Sequence, residues 1–346
     1  MTHFFCQKRR LLPGLSIVLI LLLVPATAWS QNNRWSPIGP EGTVVDGLAV
    51  DPTAPATLFA GTEQGVFKTT NAGGEWLPAN TGLTELQVVT LAMDPTAPGT
   101  LYVAVLQDGV FKTTNGGGNW VPANTGLTGD QAYALVVNTA TPGTVYAGTW
   151  GGGVFKSTNG GGSWSPANTG LTELQVRALA IDPAAPDTLY AGTDGAGVFK
   201  STNGGGSWTP ANTGLTNLYP LVLAVDPVAP GTVYAGTWGG GVFKSTNGGT
   251  TWTAANSGLT NGDIRVLAVN PVYPERLYAG SNGFGVFKSI NGGRTWIPIN
   301  DGLTDTAVHA LAIDADASAT LYAGTAGGGV FTMTSTWNVF LPLVIR

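Results

Sequence analysis

The sequence repeats itself every 44 residues, and that interval limits the fold before any single residue is considered. Asn71, Asn115, Asn159, Asn203, Asn247 and Asn291 stand in variants of one segment, GVFKSTNGGGSW, which residues 153–164 and 197–208 carry letter for letter. Each copy closes on a tryptophan: Trp76, Trp120, Trp164, Trp208, Trp252 and Trp296. The triplet Gly-Val-Phe runs in phase from Phe67 and occurs a seventh time ending at Phe331. A fixed period in the 40s describes an array of one supersecondary unit.

Within a unit the pattern is four short strands. Val176–Ile181 (VRALAI) ends at Asp182-Pro183, Thr188–Thr193 (TLYAGT) follows, then Gly197–Thr202 (GVFKST), and Trp208 opens the fourth after an NGGG turn. The apolar runs are short, rich in Val, Tyr and Phe, and punctuated by Gly, Pro and Asn. Repeated four-stranded antiparallel units predict an all-β, seven-bladed propeller. The last unit lacks the Asn-Gly turn, and Trp35-Ser36-Pro37 matches Trp164-Ser165-Pro166. The N-terminal segment is therefore expected to complete the last blade and close the ring, leaving no exposed sheet edge there. Trp337, three residues early for the period, is the alternative source of that strand. The propeller is expected over residues 29–337.

The N-terminus carries Lys8-Arg9-Arg10, an apolar run from Leu11 to Val24, and the small-residue site Ala26-Thr27-Ala28. This predicts a signal peptide over residues 1–28, with no stable membrane span after cleavage; a retained anchor is the alternative, for which the run is short. The expected location is secreted, periplasmic or cell-envelope, in a bacterium. Cys6, the one cysteine, leaves with the signal, so no disulfide or thiol nucleophile remains. Without Lys8, Arg9 and Arg10, the remaining 12 basic residues face 20 acidic ones, a net charge of −8. No basic cluster is present to neutralise phosphates, so nucleic acid is excluded as a partner.

Ser245-x-Asn247-x-Gly249-x-Thr251-Trp252 resembles the Asp-box, or BNR repeat, with Asn in place of Asp. The resemblance covers roughly residues 33–337. Proteins of this type include sialidases, xyloglucanases, sortilin and photosystem II assembly factors. It implies that the boxes lie on the face opposite any active site. The residues read the same way: an Asn side chain bonds within its own turn and tolerates left-handed backbone, while a Trp buries a large face and its N–H seeks a partner. The six asparagines and six tryptophans are therefore expected to be structural. Lys68, Lys112, Lys156, Lys200, Lys244 and Lys288 recur on the third strands and are expected to be solvated. Asp51, Asp94, Asp182, Asp226 and Asp314 end inner strands and read as turn formers on the box side.

Function is then expected where the repeats differ. One set lies between strands two and three: Glu63, Leu106, Trp150, Asp194, Trp238, Asn282 and Ala326. A second stands two residues before each central Leu: Asp46, Val89, Tyr133, Arg177, Leu221, Arg265 and His309. Trp150, Trp238, Tyr133, Arg177, Arg265 and His309 are the candidate ligand-binding residues. The tryptophans either stack on a sugar or protein partner, or fold over the next blade; the arginines either hold an anion or pair with Asp46, Asp194 or Asp263. One remaining histidine makes no metal site by itself. No metal or cofactor is expected.

Two function classes follow. Glycoside hydrolysis, implied by the resemblance, needs two carboxylates flanking a sugar, one with a raised pKa. The candidates on this face are Asp46, Glu63, Asp108, Asp130, Asp194 and Asp263, with Asp46 and Asp194 foremost, yet none has an apolar context. Uniform 44-residue units also leave no insertion to wall a cleft. A monomeric binding or scaffolding module, docking a polysaccharide or an envelope protein, needs only the rigid face. The tail Asn338–Arg346 falls outside the repeat and reads either as an export tag or an added strand.

Overall fold

A computed structural model describes residues 34–129, 131–314 and 320–334. The signal peptide, Cys6, Asp130, Trp337 and the tail lie outside them. The described residues form seven four-stranded antiparallel sheets. Blade 1 consists of Val45–Val50, Leu58–Thr62, Gly65–Thr69 and Leu77–Pro78, and blades 2 to 6 repeat the plan. Blade 7 takes Val308–Ile313, Thr320–Thr325 and Val330–Thr334 from the C-terminal end and its outer strand, Ser36–Pro37, from the N-terminal end, with Ser36 opposite Thr332. Adjacent inner strands pack against one another all the way round, blade 7 against blade 1 included.

The core lies between blades. In one layer Tyr146 and Val154 of blade 3 pack with Val176, Phe199 and Trp208 of blade 4. The Trp208 indole N–H donates to the Ala167 carbonyl on blade 3, 2.7 Å away, and the same bond recurs from Trp120, Trp164, Trp252 and Trp296. At the closure, Trp35 bonds the Ile299 carbonyl at 2.5 Å and Trp76 bonds the Ile38 carbonyl at 2.6 Å. Each box asparagine bonds within its own turn: Asn159 Oδ1 accepts the Ser163 N–H at 2.8 Å and the Ser157 hydroxyl at 2.9 Å. Asp51, Asp94, Asp182 and Asp226 behave alike, as where Asp182 Oδ1 accepts the Ala184 N–H at 2.9 Å.

The recurrent lysines correct the expectation that they are solvated. Lys68, Lys156, Lys200 and Lys244 each reach a box carbonyl of the next blade, at Gly116, Gly204, Gly248 and Gly292, with distances of 2.8–2.9 Å. Each ammonium also lies over an aromatic ring of its own blade, 5.2 Å from Phe59 for Lys68 and 5.4 Å from Tyr146 for Lys156. The long apolar stem crosses the blade boundary while the head finds a carbonyl and a π face. Lys288, on blade 6, is buried.

Six of the seven outer strands place Pro at their second residue, and blade 5 has Ala254 there. Phe243 stands opposite Ala254, while the Ala255 N–H bonds the Val242 carbonyl. The position therefore faces outward, and Pro removes an edge donor there without losing a ladder bond.

Two outcomes follow from this packing. Gly214 has φ +83°, and a Cβ there would stand 2.2 Å from the Trp252 carbonyl oxygen of the next blade. Gly214→Ala is expected to cost about 2–5 kcal/mol, read from the urea midpoint. Burial, with the Arg276 guanidinium, lowers the Lys288 ammonium from 10.5 to about 8. The unfolded chain keeps that proton to higher pH, so between those values it binds more protons and stability rises with pH. From about pH 7.5 to about 9.5, the melting difference between wild type and Lys288→Met should move in favour of wild type.

Candidate functional site

Every inner strand begins with a β-bulge. In blade 4 Val176 opposes Thr193 and Ala178 opposes Gly192, so Arg177 has no cross-strand partner. The same slip isolates Asp46, Val89, Tyr133, Leu221, Arg265 and His309 in their blades. These are the seven residues of the second variable set. A bulge re-aims a side chain and removes its pairing constraint, which explains why this position varies while its neighbours repeat. All seven line one cavity of about 470 Å³, with Gln87, Leu106 and Gln131 completing the wall.

The charged residues around this mouth occur as pairs. Arg177 Nε meets Asp194 Oδ1 at 3.0 Å. Its guanidinium lies 4.6 Å from the Trp150 ring and 5.7 Å from the Tyr133 ring, and those two rings are 5.7 Å apart at 59°. Arg265 Nη2 meets Asp263 Oδ2 at 3.0 Å, and the Asn282 amide donates to the same oxygen at 3.3 Å. Asp263 Oδ1 and Arg265 Nε are buried without a partner. His309 Nδ1 stands 2.8 Å from Asp46 Oδ1, joining blades 7 and 1.

The two tryptophans of identical local sequence part company. Trp150 is partly buried against Arg177 of the next blade. Trp238 is 57% exposed and meets Tyr219, itself 45% exposed, edge-on at 6.4 Å. Asn217 holds the base of this pair by donating to the Trp238 carbonyl at 2.9 Å. Neither tryptophan lines the cavity.

Among the hydrolase candidates, Asp46 is hydrogen-bonded to His309, Asp194 is in an ion pair with Arg177, Glu63 is exposed, and Asp108 accepts the Thr84 hydroxyl. Among the described residues no group of three His, Cys, Asp or Glu could hold a metal ion, and no helix is long and apolar enough to cross a membrane. Sequence reasoning missed Gln87, Gln131 and Tyr219. They belong to a third set in step with the repeat, two residues before the bulge, and their variation was the available signal.

The contrast between the tryptophans can be measured. Trp150→Ala should lower stability by about 1–3 kcal/mol, through lost stacking and cation–π contact. Trp238→Ala should stay within about 0.5 kcal/mol of wild type in the same urea titration.

No protein-family model matches the chain, and no curated protein matches it in sequence. Solved structures match it in fold. The GH74 enzyme of Niastella koreensis superposes with a TM-score of 0.71 at 20% identity, covering 86% of this chain and 53% of that one. YCF48 bound to D1 peptide gives 0.68 at 16% identity, over 88% of this chain and 98% of that one. The extracellular domain of BT4673 from B. thetaiotaomicron gives 0.69 at 16% identity, over 89% and 40%. The chain spans about half the length of the GH74 enzyme and nearly all of YCF48. At such identities the likeness is one of fold: this chain is a seven-bladed propeller with Asp-box-type turns, sharing its architecture with an enzyme, a peptide-bound protein and a bacterial extracellular domain.

Proposed function

We propose that the protein is an exported, non-catalytic binding module whose bulge face takes a carbohydrate of the cell envelope. The observation that carries this reading is the gathering of seven variable, unpaired bulge residues around one cavity. A rigid ring that repeats everywhere except at that mouth is suited to hold a ligand there. On blade 5, Trp238 and Tyr219 offer exposed rings, suited to the apolar faces of sugars. The signal-like residues 1–28 support export.

Engagement of Asp46 with His309 and of Asp194 with Arg177 supports binding over hydrolysis, since one oxygen of each carboxylate is already held by a neighbouring side chain. A protein or peptide partner is the second reading, favoured by the likeness to YCF48 bound to D1 peptide, which this chain covers almost end to end.

Affinity electrophoresis of the purified protein through gels containing soluble polysaccharides tests this. Retardation in at least one gel is expected, weakened in Trp238→Ala, with no reducing sugar released on long incubation. Unchanged mobility in every gel would transfer the assignment to a protein partner, and sustained sugar release, lost in Asp46→Asn or Asp194→Asn, would make the protein a hydrolase.

A further inference from the structure

We infer that the cavity is a carboxylate site, and that on the carbohydrate reading above its ligand is the terminal hexuronate of an acidic glycan. Arg177 and Arg265 are the two cationic side chains of the bulge set other than histidine, and both face this one cavity from blades 4 and 6. Their carboxylate partners, Asp194 and Asp263, do not line it. Each acid holds its arginine from the side: Asp194 from the loop after the second strand, Asp263 from just before the inner strand. Of each pair the guanidinium is therefore the member that faces a ligand, although each pair is neutral as a whole.

The geometry favours an oriented anion over a diffuse one. Arg177 bonds Asp194 through Nε, which leaves its two-nitrogen edge for a ligand, and the Trp150 ring fixes the guanidinium plane. A planar fork presented in a fixed plane matches a carboxylate bidentately. Arg265 bonds Asp263 through Nη2, while its buried Nε and the buried Asp263 Oδ1 have no partner. Of these two atoms the Arg265 Nε donor, on a residue that lines the cavity, is the one complementary to an anion. Asp46, the one carboxylate in the wall, already shares a hydrogen bond between its Oδ1 and His309 Nδ1.

The rest of the wall sets the remainder of the ligand. Gln87 and Gln131 supply amide donors and acceptors for hydroxyls, and Tyr133 supplies a ring. All seven blades contribute to the wall, so the cavity is closed on its sides around the ring axis, a shape suited to a chain end. A sugar acid at a chain terminus meets these requirements together.

Calorimetric titration of the full protein with glucuronate and galacturonate oligosaccharides, their methyl esters, and neutral oligosaccharides of equal length tests the assignment. At least one acidic ligand should bind, weaken as salt rises, and lose about tenfold or more in affinity on esterification. Arg265→Gln should weaken it similarly; Arg177→Gln should too, and Gln131→Ala serves as a second variant because Arg177 also packs on Trp150. The melting midpoint is followed in each, so that unfolding is not mistaken for lost recognition. Equal affinity for acid and ester, or binding of neutral sugars alone, overturns the carboxylate site and leaves the carbohydrate module standing. If no saccharide binds, both fall, and capture of a free-carboxylate peptide in preference to its amide would overturn the sugar assignment in the same way.

Discussion

Hydrogen bonds that cross from each blade to the next hold the rest of the structure in place. A four-stranded blade of this size cannot bury its own faces, and the core clusters accordingly draw on two neighbouring blades at a time. Apolar contact alone would let such sheets slide. The tryptophan N–H to the preceding carbonyl and the lysine ammonium to the following box fix the offset between blades from both directions. At the seam the same bonds are made by Trp35 and Trp76, so the ring closes through contacts of the kind used everywhere else. A sheet that ends in two-residue outer strands depends on this docking for its stability.

Fixing the blades leaves the beginning of each inner strand free to differ. At the bulge the ladder skips one residue, and that residue owes nothing to a partner across the sheet. Asp46, Arg177, Arg265 and His309 can therefore stand beside a packed core with no cross-strand neighbour to match. The two arginine ion pairs around the cavity are local, each made with a residue of the same blade, and at the seam Asp46 and His309 join neighbouring blades.

The fold was legible because its signals are local and repeated. Period, turn chemistry and the Trp35-Ser36-Pro37 match suffice to count the blades and locate the closing strand. The lysines were misread for the opposite reason: Lys156 bonds Gly204, 48 residues on, and nothing in a strand's alternation reveals a partner in the next repeat. Variation marked the bulge residues without explaining them, since a register slip leaves no trace in composition. The divergence of Trp150 and Trp238 was also hidden. Their flanking residues are identical, and what separates them is their surroundings: Arg177 of the next blade covers the first, while the second meets Tyr219 of its own blade edge-on and stays exposed.

The bulge has an evolutionary consequence as well. Because each of the seven positions is uncoupled from its sheet, a substitution there changes the mouth without asking the scaffold for a compensating change. Duplication of a 44-residue unit copies the frame, and drift at a single codon in each copy then gives the ring a new chemical address. A chain of near-identical blades can thus diversify its recognition one blade at a time, with stability and specificity drawn from separate sets of residues.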